Sequence, residues 1–566
     1  MPDYKKELVD EANNIDKKII DALYANKSFC VEAGAGSGKT HSLMKAIEWL
    51  QEHKTLEYKQ NGKKVACLTY TNAAVDVIKS RLPEDSFITP STIHTFAWNA
   101  IKQFQEKIID ILADNSLLPE GCDKEKIQIV QYTLGVKYFN DDEHCLYLNH
   151  NDILKLFRQI LDNPKFQRIL ANKYPTILID EYQDSDKEII DKFITYYISK
   201  ETGIQFGFFG DSWQTIYGMN GACGQIRDSH IITIGKTVNF RSTTPIVEIL
   251  NRIRPDLPQK SALNNTIGKV TVITTNHFHG QRRVDKNFKD DLPNSTLEEY
   301  VKTIKEKSNT TELKILMLTH RILAEQQGYF SLFELLDDGF KNADDVLLCY
   351  LRDTIFPLIK SINESDMIGI CDILKISKYP IQKKADKRKW SSLRSIFQKI
   401  EEKSILECLA IFIDNDLLSF PEKISDIYKK MKNSSSEPYQ KGTYEQLKDI
   451  KVLEFKKAID FISPGSQYST DHGVKGEEYE SVLFVIGRGW PQYQFDKWMP
   501  KAKEQLNEHD KKSFERNRNL FYVCCSRAKR NLIFLITIPL EGDFKTYLEN
   551  LVGTENIIEY EAYISA

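Results

Sequence analysis

Apolar positions in this chain come mostly in short unbroken runs, each closed by a polar turn. In the first half they fall at Ser28–Val31, Val65–Leu68, Thr176–Ile179 and Phe206–Phe209. Such runs predict strands buried on both faces of a parallel sheet. Between them lie longer stretches with helical spacing, Ala73–Leu82 and Lys187–Ile198 among them. Strand and helix in alternation predict a doubly wound α/β sheet. A second set of runs, at Val270–Ile273, Ile315–Leu318, Val482–Ile486 and Leu532–Ile536, predicts a second α/β lobe.

Two stretches break this rhythm. Residues 97–172 and 345–450 are rich in Ile, Leu and Lys at helix-like spacing and predict mainly helical insertions. The second runs into Lys432-Asn433-Ser434-Ser435-Ser436-Glu437-Pro438, a composition that suits a flexible exit linker. The expected division is therefore a first lobe from residues 1–96 and 173–230, interrupted by 97–172. A second lobe follows from 231–344 and 451–566, interrupted by 345–450.

With 566 residues the chain exceeds what one core usually fills, which agrees with several domains. Hydrophobic residues at 41% and charged residues at 28% exclude a wholly disordered or membrane-embedded chain. The N-terminal stretch is charged, and later apolar runs are too short to span a bilayer, so a cytoplasmic location without a membrane partner is expected. Ten cysteines form no C-x-x-C pair, which predicts reduced thiols and no zinc or iron–sulfur site. A formal net charge of −3 means that any nucleic-acid contact must come from local patches.

Ala33-Gly34-Ala35-Gly36-Ser37-Gly38-Lys39-Thr40 sits between a predicted strand and a predicted helix, the setting a phosphate-binding loop requires. Its glycines let backbone N–H groups converge on phosphate oxygens, Lys39 supplies a charge to the outer phosphates, and Thr40 offers a hydroxyl to Mg²⁺. A second acidic element ends the apolar run Ile177-Leu178-Ile179 with Asp180 and Glu181. Carboxylates at the C-terminal end of a parallel strand stand where open α/β sheets bind ligands. There Asp180 suits the Mg²⁺ shell, and Glu181 suits the orientation or deprotonation of an attacking water.

Taken in order, these and later segments resemble the motifs of the UvrD/Rep/PcrA-type helicases of superfamily one. Residues 33–40 resemble motif I, 68–74 (LTYTNAA) motif Ia, 91–96 (STIHTF) motif Ib and 180–185 (DEYQDS) motif II. Residues 210–218 (GDSWQTIYG) resemble motif III, 239–243 (NFRST) motif IV, 470–479 (TDHGVKGEEY) motif V and 519–528 (NLFYVCCSRA) motif VI. The resemblance implies two RecA-like P-loop lobes with parallel sheets that share one ATP and Mg²⁺ site, each lobe carrying its insertion. It implies that Arg241 and Arg527 act as arginine fingers, and that Gln214 senses the γ-phosphate or positions water. It also implies that Phe240 stacks on adenine and Glu478 contacts the ribose. One departure is plain: the family's adenine-reading glutamine lies before motif I, yet no Gln precedes Gln51, and Asp16, Lys17 and Lys18 occupy that neighbourhood.

For DNA, the resemblance implies a single-strand track at Tyr70, His94, Tyr217, Met219, Thr470 and His472, with Met219 standing where many relatives carry a stacking Trp. The basic run Lys383–Trp390 suits either duplex phosphates or a solvated charged loop. The function implied is ATP-dependent, 3′-to-5′ translocation on single-stranded DNA and unwinding at single/double-strand junctions. The form IDEYQDSDKE, the missing glutamine and the compact second insertion also resemble the helicase-like subunits of anti-phage systems such as Gabija. That likeness implies a different role, regulation of a partner OLD-type nuclease.

Overall fold

The computed structural model describes residues 2–565 except 115–116, 120–121, 134–136, 202, 217–220, 264–265, 285–289, 309–311, 318–319, 336–344, 375–382, 434–443, 463–465, 471–472 and 488–491. The expected exit linker beyond Asn433 therefore lies outside the described residues.

A helix α1 (Pro2–Tyr24) leads into β1 (Phe29–Ala33), the P-loop and the long helix α2 (Lys39–Gln60). β2 (Val65–Thr69) and β3 (Ile88–Thr92) follow, then the first insertion, then β7 (Thr176–Asp180), β8 (Gln205–Gly210) and β9 (Ile232–Lys236). These form a six-stranded sheet, all parallel, in the order β3-β2-β7-β8-β1-β9. Alternate residues of each strand feed opposite layers, as the two-residue period of a strand demands. Phe29, Val31, Cys67 and Leu178 pack under α1 and α2, whereas Cys30, Leu68, Ile177, Ile179 and Phe206 face the other side.

The second sheet is built alike. β12 (Lys269–Thr274), β13 (Leu313–Met317), β14 (Tyr468–Thr470), β15 (Tyr479–Ile486), β16 (Ala528–Ile536) and β17 (Ile557–Glu559) run parallel in the order β14-β13-β15-β16-β12-β17. A short parallel pair, β10 (Val238–Asn239) and β11 (Lys260–Ser261), lies between the two sheets in sequence. The two α/β lobes are thus present, with every strongly apolar run in a central strand. The edge strands β3, β9, β14 and β17 were not legible as apolar runs because each is partly exposed.

The insertions differ in how they are anchored. The first is helical but also holds a three-stranded sheet, β4 (Ile129–Tyr132), β5 (Tyr138–Asn140) and β6 (Cys145–Leu148), in the order β4-β6-β5. Its Ile108, Leu112, Leu146 and Phe157 join the same core as Leu68 and Ile179 of the sheet. The second insertion has its own core, from Leu347 and Leu358 to Phe412 and Met431, which also draws in Tyr329 and Phe455 from the flanks. Within it, the basic run is no loop: residues Lys384–Phe397 form a helix, Trp390 is buried, and Lys383, Lys387 and Arg388 stay exposed. No helix among the described residues is long and apolar enough to cross a membrane.

The lobes meet over buried charge. Arg254, which ends the helix Thr244–Ile253 of the second lobe, is 2% exposed and pairs with Asp211 and, at 3.3 Å, with Glu32 of β1. Burial drives the Glu32 carboxyl upward, while the Tyr182 hydroxyl it accepts from and the Arg254 charge pull the other way. The guanidinium also lies 5.5 Å from the Trp213 ring centre and 5.8 Å from that of Tyr522. Removing one partner of a buried ion pair strands the other. Arg254→Met is therefore expected to destabilise the closed pair of lobes by roughly 3–5 kcal/mol. Differential scanning calorimetry reads this as a lower first transition, and an unchanged midpoint would mean the lobes are held elsewhere.

Candidate active site

The P-loop leaves β1 at Ala33 and turns through Gly36 and Gly38 with φ of +74° and +76°, a left-handed backbone that favours glycine. α2 then opens at Lys39, with no side-chain cap on its first N–H groups. Loop and helix start together present backbone donors and the positive end of a helix dipole. Gly36 has a second reason to be glycine: a Cβ there would come 2.6 Å from Arg241 Cβ and 2.7 Å from Asn239 Oδ1.

Opposite the loop, β7 delivers Asp180 and Glu181. Glu181 sits at φ +52°, a strained conformation for a non-glycine residue, costing on the order of 1–3 kcal/mol. Lys39 Nζ bridges the two acids, in direct contact with Glu181 and 3.4 Å from Asp180 Oδ1. Burial opposes ionisation of Glu181, but Lys39 and then Lys475 outweigh it and hold the carboxyl at about 2. Burial dominates at Asp180 and pushes it up despite Lys39. Burial likewise disfavours the Lys39 charge, yet the two carboxylates win and raise it above the usual lysine value. Gln183, fully buried, donates to Glu181 Oε2 at 2.6 Å and accepts from Asp211 N at 3.1 Å, which fixes the carboxylate's direction.

The second lobe closes the far wall. Arg527, 1% exposed, donates to the carbonyls of Val523 and Glu477 at 3.0 Å each and to Gln214 Oε1 at 3.2 Å. Gln214 in turn donates to Asp211 at 2.8 Å, so a hydrogen-bonded path crosses the cleft. Burial and then Arg241 lower the Arg527 guanidinium to about 10. Arg241 donates to Glu478 at 2.8 Å and to Ser526 O at 3.1 Å, and Glu478 also pairs with Lys529 at 3.0 Å. Lys475 reaches from the second lobe to Asp184 and to Gln214 O. Burial lifts Asp184 to about 6, against the pull of Lys475.

Ala33 through Thr40, Glu181, Gln214, Phe240, Arg241, Glu478 and Arg527 all line one cleft of about 500 Å³. The donor set fits a nucleoside triphosphate: convergent backbone N–H groups, a lysine, two facing arginines, and a buried Ser37 hydroxyl without a hydrogen-bond partner among the described residues. Asp180 Oδ1 is buried and likewise accepts no hydrogen bond, which suits a cation as well as Lys39.

Comparison with known proteins finds relatives along most of the chain. A family model described as an AAA domain matches residues 16–220. Two proteins named Gabija protein GajB, both from Bacillus cereus, are similar along nearly their whole lengths. One is 24% identical over 98% of each chain, the other 25% identical over 94% of this chain and 97% of the relative. A DNA helicase II from Rickettsia typhi is 22% identical over 76% of this chain and 72% of its own.

Over most of its length the chain is therefore similar to DNA helicases as well as to the two GajB proteins. It is accordingly an ATP-hydrolysing enzyme. Asp16, in the stretch before the P-loop, is buried and tied to Ser42 at 2.5 Å, Lys45 at 2.9 Å and Lys236 at 3.2 Å, and does not line the cleft. Asp211, Gln183, Lys475, Lys529 and Arg254 also surround the site, and Lys475, Lys529 and Arg254 carry no signal in sequence because their partners lie far along the chain.

The expected DNA residues are placed as follows. Tyr70 is half exposed beyond β2. His94 stacks on His150 of the first insertion with ring centres 3.3 Å apart, and Tyr132 bonds His150 Nδ1 at 2.7 Å. Burial and then His150 lower His94 to about 4. Thr470 is buried, its hydroxyl accepting from Gly473 N at 3.0 Å. Tyr217, Met219 and His472 lie outside the described residues. The arrangement of the cleft predicts a split between two variants. Lys39→Ala removes the phosphate charge, so nucleotide binding is expected to fail in equilibrium titration. Glu181→Gln leaves binding intact while turnover falls to background, and parental turnover in that variant would remove Glu181 from the chemistry.

Proposed function

We propose that the chain is an ATP- and Mg²⁺-dependent motor that moves 3′ to 5′ on single-stranded DNA and opens single/double-strand junctions. The observation that supports it most is the contact of Arg527, from the second lobe, with Gln214 of the first. Phosphoryl transfer depends on positive charge placed around the γ-phosphate. A cation delivered from the opposite lobe ties that step to cleft closure. In this reading residues 1–96 with 173–230 form the first lobe, 231–344 with 451–566 the second, and 97–172 and 345–450 the insertions, except that Ile232–Lys236 pairs with β1 and so belongs to the first lobe's sheet.

Thr40 and Asp180 would hold Mg²⁺, which supplies charge between the phosphates when bound. Lys39 leaves the acids for phosphate oxygens. Glu181, held at about 2 while Lys39 lies on it, then regains basicity and orients the attacking water. Arg241 gives up Glu478, which stays paired with Lys529 and turns Oε2 to the ribose, and Phe240 packs on the base. Tyr70 and His94 offer stacking faces to unpaired bases.

The end-to-end similarity to proteins named GajB favours a second reading, in which the same ATPase is a subunit of a Gabija-type system and gates an OLD-type nuclease. Strand displacement on 3′-tailed, 5′-tailed and blunt duplexes, beside ATPase assays with and without single-stranded DNA, separates the two. The motor predicts DNA-stimulated hydrolysis and opening of the 3′-tailed duplex by the chain alone. Hydrolysis that ignores DNA until the nuclease is added would favour the regulatory subunit. In either case Arg527→Ala is expected to lower turnover about a thousandfold, the scale of a lost arginine finger, with ATP binding retained.

A further inference from the structure

Two side chains of the second lobe grip the main chain of the P-loop at a single residue. Ala35, 3% exposed, donates its N–H to Tyr522 Oη at 3.1 Å, and its carbonyl accepts from Asn239 Nδ2 at 2.8 Å. One residue further, the Gly36 carbonyl accepts from Phe240 N at 2.9 Å. These contacts are built into their surroundings. Asn239 is fully buried, and its Oδ1 accepts from Arg241 N and Ser242 N at 2.9 Å each, so its nitrogen must face Ala35. Its Nδ2 also donates to Gln259 Oε1 at 3.2 Å, and Gln259 packs so closely on Gly34 that a Cβ there would lie 2.7 Å from Nε2. The Tyr522 ring is 1% exposed and meets Trp213 edge-on at 6.0 Å.

Peptide geometry gives the grip a consequence. In a trans peptide C=O and N–H point to opposite sides. An Ala35 carbonyl turned toward Asn239 therefore turns the Gly36 N–H away from it, and the Gly36 carbonyl held by Phe240 fixes the next peptide, whose Ser37 N–H closes the turn on Gly34 O at 3.1 Å. Backbone N–H direction is what a phosphate-binding loop uses. We propose that Asn239 and Tyr522 are positioning residues through which the second lobe orients the P-loop peptides. The phosphate cradle is then complete only while the second lobe is seated on it, and opening the cleft loosens the loop and lets nucleotide go. This deepens the reading of the cleft as a nucleotide site and rests on it. It adds a route from lobe opening to release that does not pass through Arg241 or Arg527.

Hydrogen–deuterium exchange of the nucleotide-free full chain tests it, because that readout needs no turnover. Tyr522→Phe keeps the ring and removes only the oxygen, whereas Asn239→Asp keeps the acceptor for Arg241 and Ser242 and removes the donor to Ala35. In both, amides 36–40 are expected to exchange faster and a non-hydrolysable ATP analogue to bind more weakly, on the order of tenfold for one lost buried hydrogen bond. Exchange in β16 should stay as in the parent. Should Asn239→Asp fail to fold, Tyr522→Phe alone decides. P-loop exchange and analogue affinity equal to the parent in Tyr522→Phe, in a preparation whose parent hydrolyses ATP, would overturn the proposal. So would faster exchange confined to the helix Glu508–Cys525 that carries Tyr522. A parent chain that binds no nucleotide would instead refute the nucleotide-site reading itself, and the proposal with it.

Discussion

Carboxylates buried at the floor of this cleft need cations, and the first lobe does not supply enough of its own. Glu32, Asp211 and Asp184 are each nine-tenths or more buried, and the charges that face them, Arg254 and Lys475, come from the second lobe. An isolated buried charge costs several kcal/mol, so a second lobe seated without these cations would bury unpaired acids. Lys39 answers the same demand locally for Asp180 and Glu181. Gln183 then fixes the direction of Glu181, and Gln214 carries the contact from Asp211 to Arg527.

The local parts of the fold were readable because they obey local rules. Val65–Leu68, Thr176–Ile179 and Phe206–Phe209 are buried on both faces, and continuous apolar sequence is how such strands look. Ile232–Lys236 was missed although Ile231-Ile232-Thr233-Ile234 is β-branched throughout, because its first two residues are exposed on an edge strand and Gly235 interrupts the run. The three short strands between Ile129 and Leu148 were absorbed into a helical reading for the same reason. The first of them is mostly exposed and the other two are short, so periodicity has little to act on.

The site shows the same divide. Ala33–Thr40, Asp180 and Glu181 announce themselves by spacing, and the structure gathers the loop and Glu181 with Gln214, Arg241, Glu478 and Arg527 around one cavity, with Asp180 reached through Lys39. Arg254 and Lys475 carried no such signal. The first meets Asp211 from 43 positions away and the second meets Asp184 from 291, so only the folded chain reveals that they are partners. Tyr522 lies 487 positions from Ala35, and a buried tyrosine in an apolar helix reads as packing until its hydroxyl is placed.

The contrast between the two insertions bears on how the protein can change shape and sequence. The first shares its apolar interior with the sheet, so its angle to that lobe is fixed by the same contacts that keep the lobe folded. The second encloses an interior of its own and meets the neighbouring core mainly through the flank at Phe461. A unit so enclosed can pivot without exposing the sheet beneath it. Evolution can likewise lengthen, trim or replace it while the ATPase lobes remain intact, which makes it the part of this architecture freest to acquire new partners.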